Sequence, residues 1–363
     1  MRFELSDEAT ALRDAAAGLL AAEVTPAVIR AGWPGGDGGL ADVGRTDGGR
    51  PGGDGGLPGE GPPNGGRPNG GLADVVWRKL AALGAVGTLV PEEHGGLGLD
   101  ENSLVPLLEE VGRSGLPGPA VETIAVAAPL LPRPDILAGD TLVAVRHGDL
   151  IPFGQVAEVI VARDGDSLLS FGRNDLELIP QVAVDGSRML ARVAPASLSG
   201  PARGGTVLTD DPAVTEAAWQ RGVLGTSALL IGLAWRMLEL TVGYVRQREQ
   251  FGVPVGSFQA VKHALANALV AVEFARPVAL AAAWAQAAGA AGAARQTSAA
   301  KVLATDAAQL VARTAIQCHG ALGYTTEYEL HLFAKRVWAL AAAWGDPAAH
   351  RALIADSIGV AGG

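Results

Sequence analysis

Cysteine is almost absent from this sequence. Among its 363 residues, Cys318 is the only cysteine. One thiol cannot form an intramolecular disulfide, and it cannot supply the thiolates of a cysteine-based zinc site. The histidines lack partners at the spacing of metal ligands, so we also expect no metal ion. A chain of this length without disulfides is typical of a reducing compartment, and we therefore expect a cytoplasmic protein.

Positive charge is scarce as well. The chain has 28 Lys and Arg residues against 38 Asp and Glu residues, which gives a net charge of -10. No stretch combines clustered Lys and Arg with aromatic residues, as a surface that binds DNA or RNA requires. We therefore expect no nucleic-acid partner.

Strongly hydrophobic runs are also missing. The longest run without a charge, from Pro277 to Ala294, consists mostly of Ala and Gly and contains Gln286. Its transfer free energy is too small to favour a bilayer. The N-terminus has no basic region followed by an apolar region, so we expect no secretory signal and no membrane association.

Aromatic residues make up only 5% of the chain, while apolar residues make up 48%. The core must therefore consist mainly of Ala, Leu and Val, which favours packed helices. Residues 32–71 differ from the rest because they include 18 glycines and several prolines. Such a composition cannot compensate for the entropy lost on ordering, so we predict a flexible insertion there.

The pattern of apolar residues divides the remaining chain into three parts. Helical spacing follows Ser6, a predicted N-cap, and two further helices are predicted at 73–83 and 101–111. Short apolar runs between turn residues then predict strands at 141–145, 158–162, 167–171, 182–184 and 189–193. Helical spacing returns in four long blocks, at 213–248, 256–287, 295–321 and 327–357.

We therefore predict a mainly α protein with a small β domain, in the α+β class. Residues 1–135 form a helical N-terminal domain that carries the insertion. Residues 136–210 form a reduced β-sheet or barrel domain, and residues 211–363 form a C-terminal four-helix bundle.

Two motifs in the last part resemble a known family. The run from Arg246 to His263 (RQREQFGVPVGSFQAVKH) is similar to the signature of the acyl-CoA dehydrogenases. The run from Gln317 to Glu327 (QCHGALGYTTE) is similar to that family's Gln-x-x-Gly-Gly-x-Gly-Tyr turn. Trp77 to Gly84 and Val90 to Leu99 resemble its N-terminal helical domain.

The resemblance implies a site for FAD that two subunits share. Arg248 stands where the family has an arginine that binds the FAD pyrophosphate, a role suited to the two-pronged guanidinium. Phe251, Gln259, Gln317 and Gly320 match further positions that reach an FAD held mainly by a neighbouring subunit. In this turn Ala321 replaces the second glycine of the family pattern.

Each of these residues also has a purely structural interpretation. Arg248 could belong to an ordinary solvated helix end, with Gly252 as its cap. His263 and His319 have no carboxylate partners nearby in the sequence, so surface or interface positions suit them better than acid-base roles. Cys318 is best interpreted as a buried, inert thiol.

An acyl-CoA dehydrogenase needs a carboxylate that removes the α-proton while hydride leaves the β-carbon for the flavin. One branch of the family has this base in a C-terminal Tyr-Glu-Gly-Thr segment. The matching stretch here, Ala343 to Arg351, contains one carboxylate, that of Asp346. Another branch has it at or next to the position of Gly222, where this chain has no carboxylate. The nearest candidates are Glu216 and Asp346, so we name no catalytic residue.

The β region also suggests a subunit that does not supply the catalytic base. The run from Leu150 to Val161 resembles the shortened middle domain of the non-catalytic subunits in actinobacterial two-gene dehydrogenases. Those complexes are α2β2 heterotetramers, and many act on the CoA thioesters of steroid side chains. One subunit type supplies the glutamate and most of the FAD site, and the other completes the FAD site.

The resulting hypothesis is a partner subunit of an FAD-dependent acyl-CoA dehydrogenase that needs a catalytic subunit to act on an acyl-CoA. The first alternative is a self-sufficient enzyme with a relocated base such as Glu216. The second is a flavin-free scaffold of the same fold, which would have no need for Arg248 or the turn at Gln317.

Overall fold

The computed structural model describes residues 5–33, 72–194 and 205–360. The predicted flexible insertion at 32–71 therefore lies outside the described residues, apart from Gly32 and Trp33. The described chain is mainly helical, with two small sheets in the middle, which confirms the predicted fold class.

Helices form the N-terminal part. Ser6 caps the first of them, as predicted, by accepting a hydrogen bond of 3.1 Å from the backbone N–H of Ala9. The helices are α1 (Asp7–Glu23), α2 (Pro26–Ala31), α3 (Leu72–Ala82), α4 (Glu101–Ser114), a π-helix (Val121–Ala127), α5 (Ala128–Leu130) and α6 (Pro134–Leu137).

In the described residues that follow, seven short strands form two sheets. The strands are β1 (Val143–Val145), β2 (Leu150–Ile151), β3 (Val159–Asp164), β4 (Ser167–Gly172), β5 (Leu178–Pro180), β6 (Ala191–Val193) and β7 (Thr206–Thr209). The larger sheet has the order β1-β3-β4-β7, in which β1 and β3 are parallel and the other pairs antiparallel. The smaller sheet has the order β2-β6-β5 and is antiparallel. Ile151, Ile160, Phe171 and Val193 join the two sheets in one small core.

The C-terminal part is again helical. Its elements are α7 (Pro212–Gln247), a hairpin of β8 (Glu249–Gln250) and β9 (Val253–Pro254), α8 (Gln259–Ala287), α9 (Ala293–His319), α10 (Leu330–Ala342) and α11 (Pro347–Ser357). The fourth predicted helical block is thus two helices. It breaks because Trp344 and Gly345 have φ angles of 57° and 95°, after which Asp346 caps α11.

Glycines let α4 approach α7 very closely. A Cβ at Gly112 would overlap the backbone of Leu229, and a Cβ at Gly232 would overlap the carbonyl oxygen of Glu109. The two helices therefore touch backbone to backbone. The Glu109 carboxylate also receives two hydrogen bonds, of 2.9 and 3.1 Å, from Nε of Arg276 on α8, which ties all three helices together.

Two described helices are long and apolar enough to cross a membrane, judged by length and composition alone. In α7, 72% of the most apolar window is buried inside the protein, as expected for the central helix of a bundle. In α8, only 39% of that window is buried. Helix α8 therefore has an apolar face that no described part of the chain covers.

We expect Gly232→Val to lower the free energy of unfolding by more than about 3 kcal/mol, because the added side chain forces α4 away from α7. The matched control is Gly243→Ala on the same helix, where a Cβ meets no atom within 4 Å. That change should raise stability by up to about 1 kcal/mol through helix propensity. Urea denaturation of both variants checks this, and equal stabilities would contradict it.

Candidate functional site

The predicted cofactor residues Arg248 and Phe251 lie at the end of α7. The backbone N–H of Arg248 donates to the carbonyl oxygen of Tyr244 at 2.9 Å, and the chain then turns into the β8–β9 hairpin. Phe251 and Gly252 form the two-residue turn, with φ angles of 54° and 79°. Positive φ at both positions is typical of a tight hairpin, so Gly252 is a hairpin residue rather than a helix cap. Phe251 is 93% exposed at the tip.

Gln259, Gln317 and Gly320 lie at helix ends. Gln259 is the exposed first residue of α8, and Gln317 is exposed in the last turn of α9. Gly320 ends α9 with a φ of 61° and a ψ of -135°, a conformation that only glycine adopts readily. No atom lies within 4 Å of the place where a Cβ would be. A ligand could therefore approach this backbone closely.

The two predicted motifs meet at the same end of the bundle. Helices α7 and α9 both end there, and α8 begins there. Tyr244, one turn before Arg248, stacks on His319 with ring centroids 4.3 Å apart and planes 20° apart. His319 directly precedes Gly320, so this contact links the hairpin to the Gln317 turn. No sequence pattern predicts this link, because the two rings are far apart in the sequence.

The sequence suggested a surface or interface position for His319, and the structure excludes the surface position. Its side chain is only 3% exposed, and its Nδ1–H donates to the carbonyl oxygen of Ala315 at 2.8 Å. Burial lowers the pKa of His319 below its usual value, which favours the neutral ring. The neighbouring thiol of Cys318 is half-buried, and burial raises its pKa, so it is protonated and unreactive at neutral pH.

The two regions where the resemblance places a catalytic base face each other. Gly222 lies on α7 directly under the ring of Trp344, and a Cβ at Gly222 would overlap that ring. The ring centroid of Trp344 lies 4.7 Å from that of Trp219 and 4.3 Å from that of His147. We call these three residues, His147, Trp219 and Trp344, the aromatic cluster. It fills the space between α7 and the loop after α10.

Buried polar groups fix the loop that carries Trp344. The ammonium of Lys301, which has no solvent exposure, donates to the carbonyl oxygens of Ala341 at 3.0 Å and Gly345 at 3.1 Å. His350 contacts the carbonyl oxygen of Trp344 at 2.9 Å through Nε2. Burial lowers the pKa of Lys301 to about 7. These contacts fix the loop and therefore the position of Trp344 in the aromatic cluster.

A small cavity borders α7, but no residue of the aromatic cluster lines it. Thr226, one turn after Gly222, lines a cavity of about 30 Å³ between α4 and α7. A space of that size holds one or two water molecules. It is far too small for an acyl chain.

The candidate relocated bases are engaged in other contacts. Glu216 accepts hydrogen bonds from Arg163 at 3.2 Å and from Gln220 at 2.6 Å. Asp346 caps α11 by accepting a hydrogen bond of 2.8 Å from the backbone N–H of Ala349. Both carboxylates thus have structural contacts, Glu216 in an ion pair and Asp346 in a helix cap.

A buried ionic network, which the sequence did not reveal, joins the three parts of the chain. We define it as Glu122 of the π-helix, Asp185 and Arg188 of the β part, and Arg336 of α10. Nε of Arg336 donates to Asp185 at 3.0 Å, and Nη2 of Arg188 lies 4.0 Å from Oε1 of Glu122. Burial raises the pKa of Glu122 and lowers that of Arg188. No local motif could indicate these pairs, since their members are distant in the sequence.

Within the described ranges, no three His, Cys, Asp or Glu side chains come together as a metal ion would require. The exposed end of the bundle does fit part of an FAD site. It offers the guanidinium of Arg248, two amides and the open backbone at Gly320, all of them exposed to solvent. These groups can hold one side of a dinucleotide.

Comparisons with known proteins agree with these observations. The family model described as acyl-CoA dehydrogenase, C-terminal domain, matches residues 213–359, and the model for the N-terminal domain matches residues 68–132. The acyl-CoA dehydrogenase IpdE2 of Mycolicibacterium smegmatis is 31% identical over 280 residues, which cover 75% of this chain and 84% of that protein.

Solved structures share the fold. The ChsE4–ChsE5 complex of Mycobacterium tuberculosis contains a chain with a TM-score of 0.75 and 21% identity, covering 99% of both chains. The steroid dehydrogenase Tcur3481–Tcur3483 gives a TM-score of 0.77 and 22% identity, covering 97% of this chain and 98% of that chain.

We expect the stability of the protein to fall as the pH is lowered from about 6.5 towards 3. Burial, with a contribution from Arg188 and Lys301, lowers the pKa of His147 to about 3. The unfolded chain therefore takes up a proton in this range that the folded protein excludes. His147→Phe keeps a ring but removes this titration, so its stability should depend less steeply on pH. Urea denaturation between pH 7 and pH 4 measures both slopes, and equal slopes would contradict the assignment.

Proposed function

The chain belongs to the acyl-CoA dehydrogenase family, and on that basis we propose that it is the partner subunit of a heteromeric, FAD-dependent acyl-CoA dehydrogenase. In this role it completes an FAD site shared across a subunit interface and supplies no catalytic base. The reaction of the complex is the α,β-dehydrogenation of an acyl-CoA thioester, in which bound FAD accepts the hydride.

The position of Trp344 over Gly222 carries this proposal. Removal of the α-proton requires a carboxylate within hydrogen-bond reach of the substrate. Here the aromatic cluster fills the space between the two regions where the family has that carboxylate, and Lys301 holds the loop in place. This packing supports a base that comes from another chain.

The exposed polar groups at the end of the bundle support a shared FAD site. The side chains of Arg248, Gln259 and Gln317 are all exposed, and Gly320 leaves open backbone beside them. A guanidinium in this position can form two parallel hydrogen bonds with the pyrophosphate. The cofactor would also cover Phe251, which otherwise exposes a large apolar ring to water.

The outer face of α8 supports a protein partner. Its side chains Val270 and Phe274 are 51% and 71% exposed, and the face begins at Gln259, next to the proposed FAD contacts. Exposed apolar surface of this kind is typical of subunit interfaces. Glu273 lies on the same exposed part of α8, which argues against a bilayer as the covering surface.

We propose an acyl-CoA dehydrogenase subunit as the partner, in an α2β2 assembly located in the cytoplasm. The similarity to the ChsE4–ChsE5 complex and to a steroid dehydrogenase of two named components supports this choice. It also favours the CoA thioester of a steroid side chain as substrate. A self-sufficient enzyme with Glu216 as its base is less well supported, because Glu216 is bound to Arg163. A flavin-free scaffold is also less well supported, because Arg248 and the Gln317 turn are retained.

We expect the protein purified alone to be colourless, and the complex with its catalytic subunit to be yellow with about one FAD per pair. In the complex, Arg248→Gln should weaken FAD binding by about tenfold or more, because a charged hydrogen-bonding partner of the pyrophosphate is lost. The matched control is Arg246→Gln, an exposed arginine two residues earlier. Absorbance at the flavin band, with FAD titrated into the apo-complex, measures both variants. Full FAD content and dehydrogenase activity in the protein alone would overturn the proposal.

We expect Phe274→Glu to prevent assembly with the catalytic subunit, because it places a charge in an apolar contact. Val182→Glu is the matched control, since Val182 is 74% exposed but lies in the β part. Size-exclusion chromatography with light scattering of co-expressed subunits measures the assembly. Normal assembly of Phe274→Glu would show that this face of α8 is not the interface.

A further inference from the structure

Three aromatic rings pack together beneath the proposed FAD contacts. The ring of His319 stacks on Tyr244 at 4.3 Å and lies 4.8 Å from the ring of Tyr328, with centroids used for both distances. Tyr244 and Tyr328 are 6.1 Å apart. We call these residues, Tyr244, His319 and Tyr328, the aromatic stack. They come from α7, α9 and the segment before α10.

One hydrogen bond sets the orientation of the His319 ring. Nδ1–H donates to the carbonyl oxygen of Ala315, which fixes the neutral form with a bare Nε2. Nε2 is buried and has no hydrogen-bond partner among the described residues. It is not reachable from solvent, so His319 cannot itself bind the cofactor. The ring of His319 therefore contributes through its packing against Tyr244 and Tyr328.

Two members of the aromatic stack, Tyr244 and His319, are directly joined to the segments that carry the proposed FAD contacts. The carbonyl oxygen of Tyr244 accepts the hydrogen bond of the Arg248 N–H at 2.9 Å. His319 is bonded through the chain to Gly320, whose N–H donates to the carbonyl oxygen of Gln317. A displacement of His319 therefore moves the Gln317 turn relative to Arg248.

We propose that His319 is a positioning residue for FAD: it holds the Arg248 hairpin and the Gln317 turn at the spacing that one dinucleotide requires. This inference rests on the proposed function, and it adds a residue that never touches the cofactor. The spacing of the two segments depends on His319 because ring contacts join the segments at their base. Arg248, Gln317 and Gly320 themselves are exposed.

Variants of His319 in the co-expressed complex test the proposal. His319→Ala removes two ring contacts and should weaken FAD binding by about tenfold. His319→Phe keeps the ring and should bind FAD within about threefold of wild type. FAD titration of the apo-complex gives the affinities, and thermal unfolding with light scattering shows that each complex is folded and assembled. Tyr328→Leu removes one face of the stack and serves as the second variant if His319→Ala does not fold.

A double-mutant cycle separates positioning from general stability. If His319 acts by placing Arg248, then His319→Ala should cost much less affinity in the Arg248→Gln background than in wild type. A merely structural role would give equal losses in both backgrounds and would overturn the proposal. FAD bound equally well by wild type and His319→Ala would overturn it too. A wild-type complex without FAD would instead overturn the proposed function, and this inference with it.

Discussion

The buried ionic network of Glu122, Asp185, Arg188 and Arg336 connects the three parts of the described chain. These groups come from the three parts of the chain, and their charges balance in a region with little access to water. Removing one partner of such a buried pair typically costs about 3–5 kcal/mol, because the other charge is left without compensation. The network therefore fixes the N-terminal helices, the sheets and the bundle at one relative position.

The same network extends to the region where the family has its catalytic base. Nη1 of Arg188 donates to the carbonyl oxygen of Ala339, and Lys301 donates to the carbonyl oxygens of Leu340 and Ala341. Two buried basic side chains thus bind the C-terminal end of α10, where the helix dipole favours positive charge. They fix the loop that places Trp344 over Gly222. Packing therefore places an aromatic ring over one of the positions where the sequence lacks the expected carboxylate.

The sequence predicted the long helices well and the short strands poorly. Long helices have a strong apolar period, so α7, α8 and α9 were predicted within a few residues of their observed ends. Residues 182–184 were predicted as a strand, and this was wrong: Val182 and Val184 are exposed outside any strand. The strands β2, β5 and β7 were missed, because two to four residues are too few to show a period and their pairing depends on partners distant in the chain.

The sequence by itself determined the fold class and the family, because helical periodicity and the motifs around Arg248 and Gln317 are local patterns. It also showed that the expected glutamates are missing. Only the tertiary structure decided what replaces them and what connects the two motifs. The contact of Trp344 with Gly222, the stacking of Tyr244 on His319 and the pairing of Asp185 with Arg336 each join residues from separate elements. Such contacts arise from packing in three dimensions, which no spacing along the chain records.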